Sequence, residues 1–438
     1  MSTGLAALIV FVSFILLMLT GIPVGFGIGG ATFLGFLLLG GDPSIIPQKL
    51  YSGADVYTYL CILLFILAAD IMSIGGITYS LVRFCDTMVG HVRGGLAHVN
   101  TLASMLFAGL SGSATADACG LGPIEIELMV KGGYPRDFST CVTAATAIIG
   151  PIIPPSNIMI IFATCAGTVS IGRMFAGGII PGILLGLCYM IYCYFISRKR
   201  NYPKRDRRAS GREMLSATIE TLPAIAMVVM IFCFITFGIA TATETSAVAV
   251  LYAIIVAVAK KNLSLKSFYR SCIRAAKSTA SVMFIIAISN AMGWVITTMG
   301  ISKVMQEFFL TYVSSKYVFL IFVNVFLLVL GMLLDASPAL LMTVPILYPI
   351  ACAYGIDSVH FGIVVCLNLM IGNITPPVGM MLFVCSNVGK VELSTVYKKI
   401  WPFCITAFIA LFLVTMIDPL TESSFREFSM AERTDKSF

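Results

Sequence analysis

The sequence predicts an all-α integral membrane protein, and three observations carry that prediction. Of its 438 residues 58% are hydrophobic and only 11% are charged, with a mean hydropathy of +0.98. That composition cannot cover a water-soluble domain of this size with polar surface. The apolar residues gather into about a dozen runs, most of them long enough for a helix to cross a bilayer. A self-similar unit also recurs 222 residues downstream, and each copy carries a Pro-Pro pair in the middle of an apolar run.

The runs fall near residues 5–20, 22–40, 57–75, 96–112, 139–167, 175–196, 218–239, 243–259, 280–299, 318–334, 361–387 and 401–417. About 11 to 12 of them are expected to span. The first run has no Lys or Arg before it and flows into the second, so a retained membrane segment is expected rather than a cleaved signal. Two shorter stretches, 113–130 and 336–353, open with small polar residues and are interrupted by proline, which predicts re-entrant hairpins. Residues 76–95, 260–278 and 300–316 mix basic and apolar side chains, as interfacial helices or plain loops do. Residues 197–212 hold eight Lys or Arg; this accounts for most of the +7 net charge and predicts a cytoplasmic linker. Thirteen cysteines lie scattered in apolar runs without paired spacing, so neither disulfides nor metal centres are expected of them.

Under the 222-residue shift, Gly109 falls on Gly331, Pro123-Ile124 on Pro345-Ile346, Ile149-Gly150 on Ile371-Gly372 and Pro154-Pro155 on Pro376-Pro377. The 61 positions from 109 to 169 hold fourteen identities, where biased composition gives roughly four or five. The predicted division is a first repeat, 1–197 (scaffold helices 1–108, hairpin and broken helix 109–197), and a basic linker, 198–217. A second repeat follows, 218–417 (scaffold 218–330, hairpin and broken helix 331–417), and then a polar tail, 418–438. Basic residues suggest that the repeats are inverted. The loop after the first hairpin carries Lys131 and Arg136 while its counterpart, 353–360, has none; in the next loop pair the bias reverses, with Arg173 alone against Lys390, Lys398 and Lys399. Inversion needs an odd number of crossings between the hairpins, whereas six apolar runs lie between 139 and 334, so one of them is expected to be interfacial, broken or re-entrant.

Proline lacks an N–H and clashes with the preceding turn, so "GPIIPP" (150–155) and "GNITPP" (372–377) should each break a helix and free backbone groups at membrane depth. Carbonyl ends of broken helices suit a hard cation such as sodium, and restarted half-helices offer amides to an anion. The hairpin tips "GLSGSATAD" and "GMLLDASPA" supply hydroxyls and a carboxylate. The predicted sodium ligands are therefore Gly112, Ser113, Thr115, Gly150 and Pro154 in the first repeat, and Asp335, Ser337, Gly372, Asn373, Thr375 and Pro376 in the second. The predicted substrate contacts are Ser113, Thr115, Ser156, Asn157, Ser337 and Thr375, with Ser156 also placed to cap the restarted helix. A lone Pro-Pro is more often a kink, and Gly or Ser in membrane helices often serve packing; two pairs in register with polar tips favour sites. Glu125 and Glu127 are expected to face solvent. Asp70 and Glu244 are expected to join helices or gate contacts between domains, and His91, His98 and His360 lack metal-ligand spacing.

The motifs "GSATAD", "KGGYPRDFSTCVTAATAIIGPIIPPS", "SIGRMFAGGIIPGILLG", "ATETSAVAVLYA", "LDASPALLMTVPILYPI" and "GNITPPVGMMLFV" resemble the large membrane subunit of TRAP transporters, the tripartite ATP-independent periplasmic carriers of organic acids, over residues 5–417. The resemblance implies an ion-transporter fold with inverted repeats, an elevator motion and sodium-driven uptake of a C4-dicarboxylate, sialic acid or other carboxylate across the bacterial inner membrane. It also implies a small four-helix membrane subunit as a separate chain and a soluble periplasmic binding protein. The family's sodium positions map onto the tips at 113–115 and 335–337 and the breaks at 150–155 and 372–377. Sodium is the only ion implied; no cofactor and no nucleic acid are expected. A stand-alone sodium/carboxylate symporter would share the breaks and hairpins. An enzyme would need an HExxH, a catalytic aspartate pair or a Ser/His pair, none of which appears, and a passive channel would need a continuous polar pore.

Overall fold

The computed structural model describes residues 3–40, 42, 44–205 and 207–417. The predicted polar tail, 418–438, lies outside the described residues. In chain order the helices are α1 Thr3–Leu19, α2 Val24–Leu39, α3 Ile45–Ala54, α4 Leu60–Ile74, α5 Ile77–Val89, α6 Gly95–Ser111, α7 Ala114–Gly120, α8 Gly122–Lys131, α9 Arg136–Ala147, α10 Asn157–Ala166, α11 Ile171–Arg200, α12 Gly211–Thr236, α13 Ala242–Ala259, α14 Leu265–Thr298, α15 Ile301–Tyr312, α16 Lys316–Leu333, α17 Ala336–Ala353, α18 Ser358–Gly372, α19 Met380–Gly389 and α20 Leu393–Met416. No strand occurs among the described residues.

Eight helices are long and apolar enough to cross a bilayer by themselves: Tyr57–Ile74, α11, α12, α13, α14, α16, α17 and α20. The predicted runs 139–167 and 361–387 are each two helices, α9 with α10 and α18 with α19, interrupted at the Pro-Pro pairs. The halves are too short to span alone, so each pair shares the depth of one span. All thirteen cysteines are free.

Three expectations need correction. The stretch 113–130 is not itself a hairpin. Its Pro123 occupies the start of α8, where a missing N–H costs nothing, so only a joint at Leu121 separates α7 from α8. The turn instead lies at Gly112, whose φ of +59° ends α6, and Ser113 begins α7, so α6 is the other arm. Likewise 336–353 is one uninterrupted helix, α17, despite Pro345 and Pro349, and its hairpin partner is α16. Finally, 260–278 forms no separate interfacial helix: from Leu265 it continues without a break into the following span as the 34-residue α14.

Two helix groups pack side by side. One contains α2, α3, α4, α13 and α14. The other surrounds α9 and α18 and includes α6, α8, α10, α11, α16, α17, α19 and α20. In the second group the half-helices trade partners, since α10 lies against α17 and α19 against α7. The loops follow the same exchange. Arg136, after α8, donates to the Gly389 carbonyl at 3.3 Å, and Asp137 pairs with Lys399 of α20. Elsewhere the Tyr348 hydroxyl of α17 bridges Thr168, at 2.7 Å, and Ser358, at 2.9 Å. The basic linker joins the first of these ends, where the Tyr134 hydroxyl donates to the Pro203 carbonyl at 3.0 Å and Arg205 pairs with Asp86 and Glu213, both at 3.3 Å.

Helices α16 and α18 meet backbone to backbone. A Cβ on Gly372 would sit 2.7 Å from the Gly331 Cα. Backbone contact of this kind dispenses with side chains and holds the second hairpin onto its broken helix. Gly372→Ala should therefore lower stability by about 1–3 kcal/mol, read as a fall in the thermal midpoint of the detergent-solubilised protein. Gly211→Ala, where an added Cβ meets nothing within 4 Å, should leave the midpoint unchanged.

Candidate functional site: two helix breaks faced by two hairpin tips

Each break is met by the tip of its own hairpin. In the first repeat the Asn157 amide, at the start of α10, donates to the Gly112 carbonyl at 3.4 Å. A Cβ at Gly112 would collide with the Pro155 carbonyl, so no side chain fits there. Ser113 and Ser156 each cap the helix they precede, accepting from the amides of Ala116 at 3.5 Å and Met159 at 3.2 Å. The Ser156 hydroxyl also donates to the Pro151 carbonyl, tying the two edges of the break together. Gly112, Ser113, Gly150, Ser156 and Asn157 therefore come together, while Thr115 faces outward and its hydroxyl lies 3.9 Å from the Met381 sulfur of α19.

In the second repeat Asn373 donates to Asp335 at 3.1 Å. The Gly379 amide donates to the Met332 carbonyl at 3.1 Å, and Met381 donates back to the Asn373 carbonyl at 3.0 Å. Gly379, at φ +58°, makes the turn back into helix. Thr375 is buried and its hydroxyl donates to the Ile371 carbonyl at 2.7 Å, so the side chain predicted as a ligand already has a backbone partner. Asp335 is exposed and Ser337 half-buried at the tip. The peptide bonds Pro154-Pro155 and Pro376-Pro377 are both cis.

The two breaks differ in which side-chain oxygen is left over. At the first it is Asp117 of α7, 2% exposed. One carboxylate oxygen accepts from Ser111; the other, Oδ2, has no partner and lies so close to Gly150 that a Cβ there would collide with it. At the second it is Asn373 Oδ1, buried and without a partner. Buried acceptors of this kind ordinarily find a donor or a cation. No cluster of three His, Cys, Asp or Glu suited to a transition metal occurs among the described residues. The donor sets at the breaks consist of carbonyls, hydroxyls, the Asn373 amide oxygen and the carboxylates of Asp117 and Asp335, the hard oxygen ligands that suit an alkali cation.

Sequence reasoning left the role of Asp117 open; the structure buries it in α7 beside Gly150 of the first break. The sequence reading placed Glu125 in solvent. Glu125 is 1% exposed and neither of its oxygens has a partner, whereas Glu127 is at the surface, paired with Arg136 at 2.6 Å. Glu244 joins no helices; it closes a capping box with Thr241 at the start of α13. His98 bonds the Arg93 carbonyl at 3.0 Å. Beside the first tip lies a cavity of ≈ 600 Å³, bounded by Ser111, Ser113 and Thr115 on one side and by Asp70 of α4 and Arg274 of α14 on the other.

Broken helices, orphaned buried oxygens and a cavity of ≈ 600 Å³ in a many-spanning helical protein are features expected of a membrane transporter. Comparison with known proteins makes the class specific. Residues 11–420 match the family described as "Tripartite ATP-independent periplasmic transporter, DctM component". The chain is 38% identical over 411 residues to the "Sialic acid TRAP transporter large permease protein SiaM" of Vibrio cholerae serotype O1, covering 92% of this chain and 95% of that one. It is 37% identical over 437 residues to the same organism's "C4-dicarboxylate TRAP transporter large permease protein DctM", covering 94% and 96%. Among solved structures, the YdaH transporter of Alcanivorax borkumensis superposes with a TM-score of 0.63 at 11% identity, covering 85% of this chain and 86% of that one, and so shares the fold alone. The chain belongs to the large-permease family of TRAP transporters, a family of permeases rather than enzymes, and is a multi-pass protein of the bacterial inner membrane.

Ser156 both caps α10 and ties the break, so Ser156→Ala should cost about 1–2 kcal/mol of stability. Ser156→Thr, which keeps the hydroxyl, should cost less. Thermal unfolding of the two variants side by side checks the ordering.

Proposed function

We propose that the chain is the transport subunit for sodium-coupled uptake of an organic anion, and that the oxygens orphaned at the helix breaks, Asp117 Oδ2 and Asn373 Oδ1, mark its cation sites. That observation carries the reading, because a buried acceptor without a donor is most readily satisfied by a bound cation. With the cation in place, each hairpin tip is drawn onto its break. Ser113, Thr115, the N-terminal end of α10 and, on the second side, Ser337 then face the substrate's anionic group. Coupling follows, since the pocket without its cation is loose and binds the anion poorly.

The exchange of half-helices and loops supports an inverted arrangement of the repeats. The loop after the first hairpin is tied to the loop after the second break through Arg136 and Asp137. The loop after the second hairpin is tied to the loop after the first break through Tyr348, Thr168 and Ser358. In parallel repeats like loops would share a side; here unlike loops do. The group around α9 and α18 is the moving body of an elevator in this reading, and the group of α2, α3, α4, α13 and α14 is its scaffold.

Large TRAP permeases work with a small membrane subunit and a periplasmic binding protein; here both partners are proposed as separate chains. The relatives' names point to sialic acid and C4-dicarboxylates as the substrates to try first. Reconstituted with both partners, the chain should take up labelled N-acetylneuraminate or succinate only under an inward sodium gradient and only with the binding protein present. Uptake driven by sodium without that protein would instead indicate a stand-alone symporter. Asp335→Asn, which weakens the charge at the second tip, should raise the sodium concentration for half-maximal uptake about tenfold, equivalent to a charge-assisted contact of roughly 1.4 kcal/mol.

A further inference from the structure

The cavity beside the first hairpin tip has one basic side chain among its described lining residues, Arg274. Its guanidinium donates to one oxygen of Asp70, with Nη2 at 2.8 Å and Nε at 3.2 Å from Oδ2, and Nη2 also reaches the Ser271 hydroxyl one turn back on the same helix at 3.4 Å. Nη1 has no partner among the described residues. The pair is open, the side chains being 59% and 25% exposed, and an ion pair in contact with water is weak and readily exchanged. Across the cavity stand the Ser113 and Thr115 hydroxyls of the tip. A guanidinium fork in a cavity also lined by two hydroxyl-bearing side chains suits the chemistry of a carboxylate or sulfonate.

The position of the pair indicates which side it serves. Asp70 is one turn before the end of α4, and the Gly75 carbonyl just beyond accepts from Asn262 at 3.1 Å, beside Lys260 and Lys261. Arg274 lies nine residues along α14 from Leu265, about 14 Å by helical rise. Lys260 reaches the Glu220 carbonyl at 3.4 Å, and Glu220 pairs with Arg83 at 2.8 Å. The cavity is thus approached from a surface rich in Lys and Arg, which the positive-inside bias assigns to the cytoplasm.

We infer that Arg274 is a substrate-binding residue on the cytoplasmic side: it exchanges Asp70 for the substrate's anionic group while the first hairpin tip still holds that group, and so sets affinity at the release step. The inference rests on the anion-uptake reading above. The alternative role for the pair is a staple between α4 and α14, and the two roles predict opposite signs for Asp70. A staple is lost equally when either partner is neutralised. A substrate-binding arginine is weakened by Arg274→Gln but set free by Asp70→Asn.

The test is counterflow in proteoliposomes holding the chain with its small subunit, loaded inside with graded succinate or N-acetylneuraminate. The readout is the internal concentration that half-saturates exchange. Arg274→Gln should raise it tenfold or more without changing the half-saturating sodium concentration. Asp70→Asn should lower it, and Arg274→Lys, which keeps the charge but loses the fork, should fall between wild type and Arg274→Gln. If Asp70→Asn raises it as Arg274→Gln does, or if neither Arg274 variant changes it, the inference is overturned. If the wild-type complex exchanges neither anion, the functional reading fails and takes this inference with it.

Discussion

Everything in this fold follows from the cost of interrupting a helix away from water. Each Pro-Pro pair removes amide donors and bends the chain, leaving polar backbone where lipid can offer nothing in return. The protein answers by bringing a hairpin tip onto each break, so that carbonyls and amides of Gly112, Met332, Asn157 and Gly379 satisfy one another across the gap. Those mutual bonds do not use every acceptor. The remainder, Asp117 Oδ2 and Asn373 Oδ1, is left without a donor, and the proposed cation sites rest on it.

The two repeats solve the same problem with different residues. At the first break the leftover oxygen comes from the hairpin; at the second it comes from Asn373 of the break itself, whose Nδ2 donates to Asp335 of the hairpin. The half-helices beyond the breaks then pack on the opposite hairpins, α10 on α17 and α19 on α7. The packed helices thus connect each tip to the opposite break, the connection that the proposed coupling of ion and anion would use.

Much of this was legible in the sequence because it is written locally. Hydropathy showed the helical membrane class, prolines marked the interruptions, and the constant 222-residue offset brought tip and break into a common pattern. The hairpin arms were not legible, because α6 and α16 read as ordinary spans and only the αL turn at Gly112 and the extended Leu334 reveal that they double back. Glu125 and Glu127 are two residues apart and so lie on nearly opposite faces of one helix; sequence alone could not say which face is inward. Asp70 and Arg274 are 204 residues apart, and their meeting over a cavity depends on how α4 and α14 pack, which no local pattern records.

The most direct measurement is hydrogen–deuterium exchange of the purified complex in sodium and in potassium. If cations occupy the breaks, backbone amides at 112–118, 150–160 and 373–382 should exchange more slowly in sodium alone, with the linker at 201–210 unchanged. Equal exchange at the tips and breaks in the two salts would contradict the account.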